Sequence, residues 1–476
     1  MYNFIECNRN QMYLMPPSLK EWLPESHLAW FVMDAVEQMD LSGFYEKYRA
    51  DGWGHCAYEP SMMLSLLLYA YSMGERSSRQ IERLCETDIA FRIVTTNQKP
   101  DHTTISRFRQ ENENKLEELF VSVLKLCAEA GLVKVGLVAL DGTKVKANAA
   151  LSANRTDEHI KKEVKKILTE AAAQDKEEDR RYGKDQRGDE LPDELKDRRA
   201  RLVRLKECQK RLERESKEKA AEQQEKIDKR EVAEAISGCK KRGRKPLAPD
   251  EMVNKEKKAN VTDPASRIMK TAKGYVQGYN GQAVVTEEQI IVAAEVTQEE
   301  NDQGQLKPMM DLAKGNLKAV GVLRRIGTGL MDAGYGSEKN LKWAMGRQRR
   351  TDYLIATLKD WKQRKALQES PAPRGKMPEG LSIRERMDRK LLTKRGRKLY
   401  KLRGCTVEPV FGQIKRCMGF RQFSMRGVEA CEAEWSLVCA AHNLLKLFRY
   451  GTSAMTRQAQ GCAGLGQQRS ALALAA

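Results

Sequence analysis

The chain has 476 residues and a formal net charge of +19, which leaves room for two or three domains around at least one large core and excludes a small stapled scaffold. So strong an excess of Lys and Arg points to a polyanionic partner, most commonly nucleic acid, since cations that neutralise backbone phosphates release condensed counterions; a basic protein without such a partner is the plainer reading. No apolar run reaches the roughly 18 residues of a membrane span, residues 1–15 lack the apolar stretch of a signal peptide, and the eleven Cys include no CxxC pair, so a cytoplasmic protein with reduced, mostly buried thiols and no membrane partner is expected.

From Glu25 to about Gly131 apolar residues recur at three-to-four spacing, which predicts a helical region. Segments 60–73, 77–86 and 101–115 read as successive helices, with Ser77 or Ser78 capping the second and Asp101 or Thr103 the third. The third carries Thr103, Thr104, Arg107 and Arg109 near its start, the composition of a helix that meets DNA with its N-terminal residues. A plain helical bundle explains the same pattern.

At Lys134 the texture changes. Val135-Gly136-Leu137-Val138-Ala139-Leu140 is a compact apolar run stopping at Asp141, as a buried strand would. Residues 155–234 are then dominated by charged residues, Gln and Ala, with a thin apolar stripe (Ile160, Val164, Ile167, later Leu202, Leu205, Leu212) that keeps no strict heptad. A charged helical hairpin or a loose arm is expected there rather than a coiled coil. The basic segment Lys240 to Pro246 resembles a minor-groove AT-hook through Arg242 and Arg244; a flexible basic linker is the plainer reading.

Strand texture returns at 275–286 and 290–296, read as a hairpin, followed by a helix over 302–317. A strand over 326–331 then closes on Asp332, and a further one covers 352–358. After a basic, Pro/Gly-broken stretch, Thr406 starts a helix whose first turn holds Glu408 and tolerates Pro409. Residues 428–450 form a strongly apolar helix in which His442 is a core residue, and 451–476 read as a disordered tail.

This order fits an α/β domain of mixed sheet. In an RNase-H-like arrangement the first and fourth strands are neighbours, which would bring Asp141 and Asp332 together at one sheet edge with Glu408 as third carboxylate. Lys415, seven residues beyond Glu408, lies two helical turns along the same face. Three carboxylates are the hard-oxygen set that Mg²⁺ prefers, and two ions about 4 Å apart serve both the attacking and the leaving oxygen of phosphoryl transfer. An Asp closing a strand is also a common turn former.

The surrounding words decide between these. Asp141-Gly142-Thr143-Lys144-Val145-Lys146-Ala147-Asn148-Ala149, Leu330-Met331-Asp332-Ala333-Gly334-Tyr335 and Val407-Glu408-Pro409-Val410-Phe411-Gly412-Gln413-Ile414-Lys415 resemble the three catalytic segments of bacterial insertion-sequence DDE transposases. Pro100 to Arg109 is similar to the end of that family's helical N-terminal domain, and Gly278 to Ala283 to its second strand. The resemblance implies an RNase-H-like catalytic core at 132–154 and 260–450, preceded by an all-α DNA-binding domain at 1–131. The charged helical insertion and basic linker at 155–259 interrupt the core, and the tail at 451–476 ends the chain. It implies Asp141, Asp332 and Glu408 as ligands of two Mg²⁺ ions, with Mn²⁺ able to substitute, and Lys415 on the terminal phosphate. Tyr400 and Arg403 resemble the family's DNA-contacting Tyr and Arg; four residues separate Arg403 from Glu408 where the commonest form has three, and Gly336 stands where a bulkier residue is usual. The implied activity is binding of double-stranded DNA at terminal inverted repeats, strand cleavage and transfer to target DNA, by a homodimer associated with the bacterial nucleoid. A catalytically inactive DNA-binding repressor or architectural protein is the alternative. No two His flank a single apolar residue and no G-x-x-x-x-G-K-[ST] loop occurs, so a rolling-circle nickase and an ATP-driven motor are unsupported.

Overall fold

The structure, a computed structural model, describes residues 18–48, 56–167, 169, 193–237, 239, 246–248, 258–271, 274–346 and 351–473. Arg242 and Arg244 lie outside the described residues.

Helices Leu28–Glu37 (α1), Pro60–Ser72 (α2), Ser78–Thr87 (α3), Ile89–Val94 (α4), His102–Glu111 (α5) and Glu113–Glu129 (α6) form the N-terminal region. Pro60 opens α2, where its missing N–H would have had no helical partner. Every residue from Met62 to Tyr71 is buried, so this apolar run is a core helix. No helix among the described residues is long and apolar enough to cross a membrane. Asp88 and Asp101 cap α4 and α5 through their carboxylates, whereas Ser77 stands at the N-cap of α3 without a capping bond.

The main sheet is built from β1 (Leu137–Lys146), β4 (Arg267–Thr271), β5 (Gly274–Thr286), β6 (Ile291–Thr297), β7 (Thr328–Met331) and β8 (Asp352–Ile355). Its order is β4–β5–β1–β7–β8, with β6 also paired to β5. β1 runs antiparallel to β5 and parallel to β7, and β7 parallel to β8. Every residue of β5 from Gln277 to Thr286 is buried. Because successive strand residues point to opposite faces, both faces must be covered. α8 (Leu306–Ala319) packs against β5 and β6, while α12 (Val428–Ala473) packs on β6, α2 and α6. One continuous core therefore joins the N-terminal helices to the sheet. His442, on α12, is fully buried. The helix continues to Ala473, in place of the irregular tail expected from residue 451.

Between β1 and β4 the chain makes a small satellite. A ribbon of β2 (Asn154–Thr156) and β3 (Lys258–Asn260) forms its base, and a helix over 157–167 packs on α7 (Asp193–Ser237). Ile160, Val164, Leu205, Cys208 and Leu212 make its core, so the thin apolar stripe buries one narrow seam of a hairpin. Arg211 donates to Pro264 O at 2.5 Å and Glu215 pairs with Arg267 at 2.9 Å, fastening α7 to the start of β4.

After α9 (Asp360–Glu369) and α10 (Lys394–Lys401) come single helical turns at Arg403–Thr406 and Glu408–Gly412 (α11), then a π-helical turn at Gln413–Cys417. Pro409 has no N–H for the Cys405 carbonyl; Gln289, in the β5–β6 turn at φ +65°, donates its side-chain amide there instead at 2.9 Å. Glu408 does begin a helical turn, but the expected Thr406 cap is absent: its hydroxyl donates back to Leu402 O, and Val407 fills the cap position without a side-chain bond. Of the described Cys, five are buried (Cys85, Cys127, Cys208, Cys431, Cys439) and four are exposed (Cys56, Cys239, Cys405, Cys417).

Candidate active site

The parallel pairing of β1 and β7 sets Leu140 opposite Met331, and one residue further along each strand stand Asp141 and Asp332. Two distant segments thus deliver carboxylates to neighbouring positions. Asp332 N-caps the turn Ala333–Tyr335, accepting from Gly334 N at 2.9 Å. Asp141 accepts from Gly142 N at 2.9 Å and from Arg403 Nη2 at 2.7 Å. Burial pushes the Asp141 carboxyl up to about 7 against the pull of Arg403, and the nearby negative charges of Asp332 and Asp302 add to the rise.

Glu408 joins from the other side of Arg403. The guanidinium Nη1 lies 3.8 Å from Glu408 Oε1, and Arg364 on α9 reaches the same oxygen at 3.6 Å. Lys415 sits in the π turn, where the spacing expected of a regular helix no longer applies, yet it folds back onto β1 and donates to Lys144 O at 3.0 Å. Burial holds its ammonium below the usual lysine range, with Asp141 acting in opposition. Single π turns often mark functional sites.

Asp141 shares its face with Ala283 and Gly281, the face on which Trp435 of α12 lies, donating its indole N–H to Gln282 O at 3.1 Å. The opposite face carries a polar network absent from the sequence reading. Asp302, just past β6, accepts from Asn280 and Gln282 amides at 2.7 Å each and lies 3.9 Å from Lys144. Buried Tyr335 donates its hydroxyl to Gln282 Oε1. A β-carbon at Gly334 would stand 3.0 Å from Asp332 Oδ1 and 3.1 Å from Asp302 Oδ2, so these carboxylates flank one point. Asp302 is therefore a fourth carboxylate at the site. The word Gly278 to Ala283 contained its amide partners, but Asp302 itself lies in a polar run that reads as an ordinary helix start. The small residue at Gly336 has a local reason: a β-carbon there would come within 2.9 Å of Ala356 O.

Among the described residues, no three His, Cys, Asp or Glu side chains are gathered closely enough to hold a metal ion as they stand. The Arg403 guanidinium lies between Asp141 and Glu408. Tyr400 is buried in the apolar core rather than turned to solvent. On α5, Thr103 and Arg107 are exposed and Thr104 partly so. Arg109 is not available to DNA: it is buried and donates to Tyr71 Oη at 3.0 Å, Arg76 O at 3.1 Å and Ser78 Oγ at 2.5 Å. Its place one turn behind Ile105 carries it to the inner face of α5.

Comparison with known families gives two matches. A transposase domain family, DUF772, matches residues 17–111, covering α1 to α5, and a transposase DDE domain family matches residues 375–448, the span with Arg403, Glu408 and Lys415. Searches of curated proteins and of solved structures returned no match. A transposase domain match at the N-terminal end and a transposase DDE domain match toward the C-terminal end together support an insertion-sequence DDE transposase.

Proposed function

We propose that the protein binds the terminal inverted repeats of its element and catalyses metal-dependent DNA cleavage and strand transfer at Asp141, Asp332 and Glu408. The observation that carries this is the β1–β7 register, which brings Asp141 and Asp332 side by side while Arg403 ties Glu408 to Asp141. The antiparallel run β6–β5–β1 followed by parallel β7 and β8 supports an RNase-H-like core, entered at about residue 132 and interrupted by the satellite at 155–259. An all-oxygen donor set suits Mg²⁺, two ions of which, or Mn²⁺, would activate the attacking oxygen and stabilise the leaving one. In this reading Asp141, Asp332 and Glu408 would hold the ions once Arg403 released Asp141, Lys415 would neutralise a non-bridging phosphate oxygen, and Thr103, Thr104 and Arg107 would meet the duplex. Handling two element ends together calls for a homodimer on DNA, within the nucleoid. Arg109 and Tyr400 serve structure.

The test is cleavage of a duplex carrying the element's ends, with Mg²⁺ or Mn²⁺, by the wild type and by Asp141→Ala, Asp332→Ala and Glu408→Ala. Loss in all three variants supports the assignment; cutting that persists in all three overturns it.

A further inference from the structure

The N-terminus of α3, the outer face of α5 and the segment just past β1 enclose a groove of about 900 Å³. Its lining contains Arg76, Arg79 and Arg107 with hydroxyl and amide side chains, the buried Arg109 bracing the wall behind them, and not one carboxylate. In a chain with 66 acidic residues, such a surface concentrates positive potential and N–H and O–H donors, the chemistry that holds phosphate oxygens.

Both walls are fixed before any ligand arrives. On one, Arg109 donates to Ser78 Oγ and Tyr71 Oη, and Tyr71 donates to buried Glu434 at 3.4 Å. On the other, Ser424 donates to the same Glu434 through its backbone N at 2.8 Å and its hydroxyl at 2.6 Å. Arg76 stacks on Phe420 at 5.0 Å, and Gln422 bridges to the end of β1, donating to Ala147 O at 3.2 Å. Arg79, Arg107 and Gln422 remain exposed. His102, also in the lining, is paired with Glu82 at 2.8 Å.

We infer that this groove is a composite seat for the sugar-phosphate backbone of double-stranded DNA, with one wall from the N-terminal helices and one from the sheet domain. The inference deepens the proposed function and rests on it for the choice of DNA. Asn148, in the groove lining, follows Asp141 by a run of chain that spans at most roughly 23 Å at about 3.3 Å per residue. That is about seven base-pair steps of about 3.4 Å, a separation short enough for one duplex to span.

The experiment measures binding of a fluorescent random-sequence 40-base-pair duplex to the full chain in EDTA across a salt series, so that no cleavage enters. Arg79→Gln combined with Arg107→Gln is expected to weaken binding about tenfold and to flatten the salt slope by about 1.8, about 0.9 for each phosphate that is no longer neutralised. Gln422→Glu, on the opposite wall, is expected to weaken binding as well, whereas Lys318→Gln with Arg324→Gln, away from the groove, leaves it unchanged. Thermal melts confirm folding of each variant. The groove assignment is overturned if the slope is unaltered in the double variant, if Gln422→Glu binds normally, or if single-stranded RNA or polyglutamate binds the wild type as tightly as the duplex. Asp141→Ala retains binding in this assay, so a failed catalytic reading and a failed groove give different results.

Discussion

The Arg403 guanidinium donates to Asp141 Oδ2 at 2.7 Å from a position buried beside it. A cation already holds the carboxylate that a metal would need. Entry of a divalent ion therefore has to displace Arg403, and the displacement subtracts from metal affinity. Arg403→Gln is expected to bind Mn²⁺ about tenfold more tightly than the wild type without DNA, a change of about 1.4 kcal/mol, read by titration calorimetry. Equal or weaker binding by the variant would show that the pair does not oppose the metal.

Glu434 closes the chain Arg109–Tyr71–Glu434 and accepts from both donors of Ser424. Glu434→Ala leaves the buried Arg109 charge without its compensating carboxylate and Ser424 N without an acceptor. The expected loss is about 3 to 5 kcal/mol, seen in urea unfolding, with Glu434→Gln losing less because one acceptor remains. A loss under about 1 kcal/mol in the alanine variant would mean that the network adds nothing to stability.

Much of this was readable in the chain. The apolar run before Asp141 and the short run before Asp332 announced two buried strands; β7 does end at Met331, but β1 runs on through Asp141 to Lys146, so the end of the apolar run marked the carboxylate and not the expected end of the strand. The hydrophobic pattern marked the strands, while their pairing was expected from an RNase-H-like arrangement and the register came only with the fold. Asp302 was not readable, because its place depends on how the β6 end meets the amides of Asn280 and Gln282 across the sheet. Nor was the inward turn of Arg109: an Arg in a polar helix reads as exposed until Tyr71 and Ser78 of neighbouring helices are in place. The π turn at Lys415, which sits against β1 through its bond to Lys144 O, was not readable from local propensity either.

Gly142 stands where β1 passes the polar network. A β-carbon there would lie 2.3 Å from Gln282 Nε2, 2.5 Å from Asp302 Oδ1 and 2.9 Å from Asn280 Oδ1, and these groups are held by one another. Gly142→Ala is expected to cost about 1 to 3 kcal/mol in urea unfolding and, because residue 142 follows Asp141, to slow DNA cleavage as well. Full stability together with full cleavage would show that the network yields freely.

His442 supplies a pH dependence of stability that does not involve the carboxylates themselves. Its Nε2 bonds Gln289 O at 2.9 Å, its Nδ1 has no hydrogen-bond partner, and the ring is fully buried. Burial lowers its pKa to about 4; the Gln289 carbonyl works against the shift, and the cations of Lys446 and Arg449 reinforce it. The folded value lies below the unfolded value of about 6.5, so the neutral ring contributes stability that is present above pH 6.5 and lost as the pH falls toward 4. Between pH 7 and pH 5 this loss is roughly 2 kcal/mol. His442→Gln keeps a donor for Gln289 O but cannot titrate, so its unfolding free energy is expected to fall less than that of the wild type over this interval. If the two proteins lose stability in parallel from pH 7 to pH 5, His442 is not the group responsible.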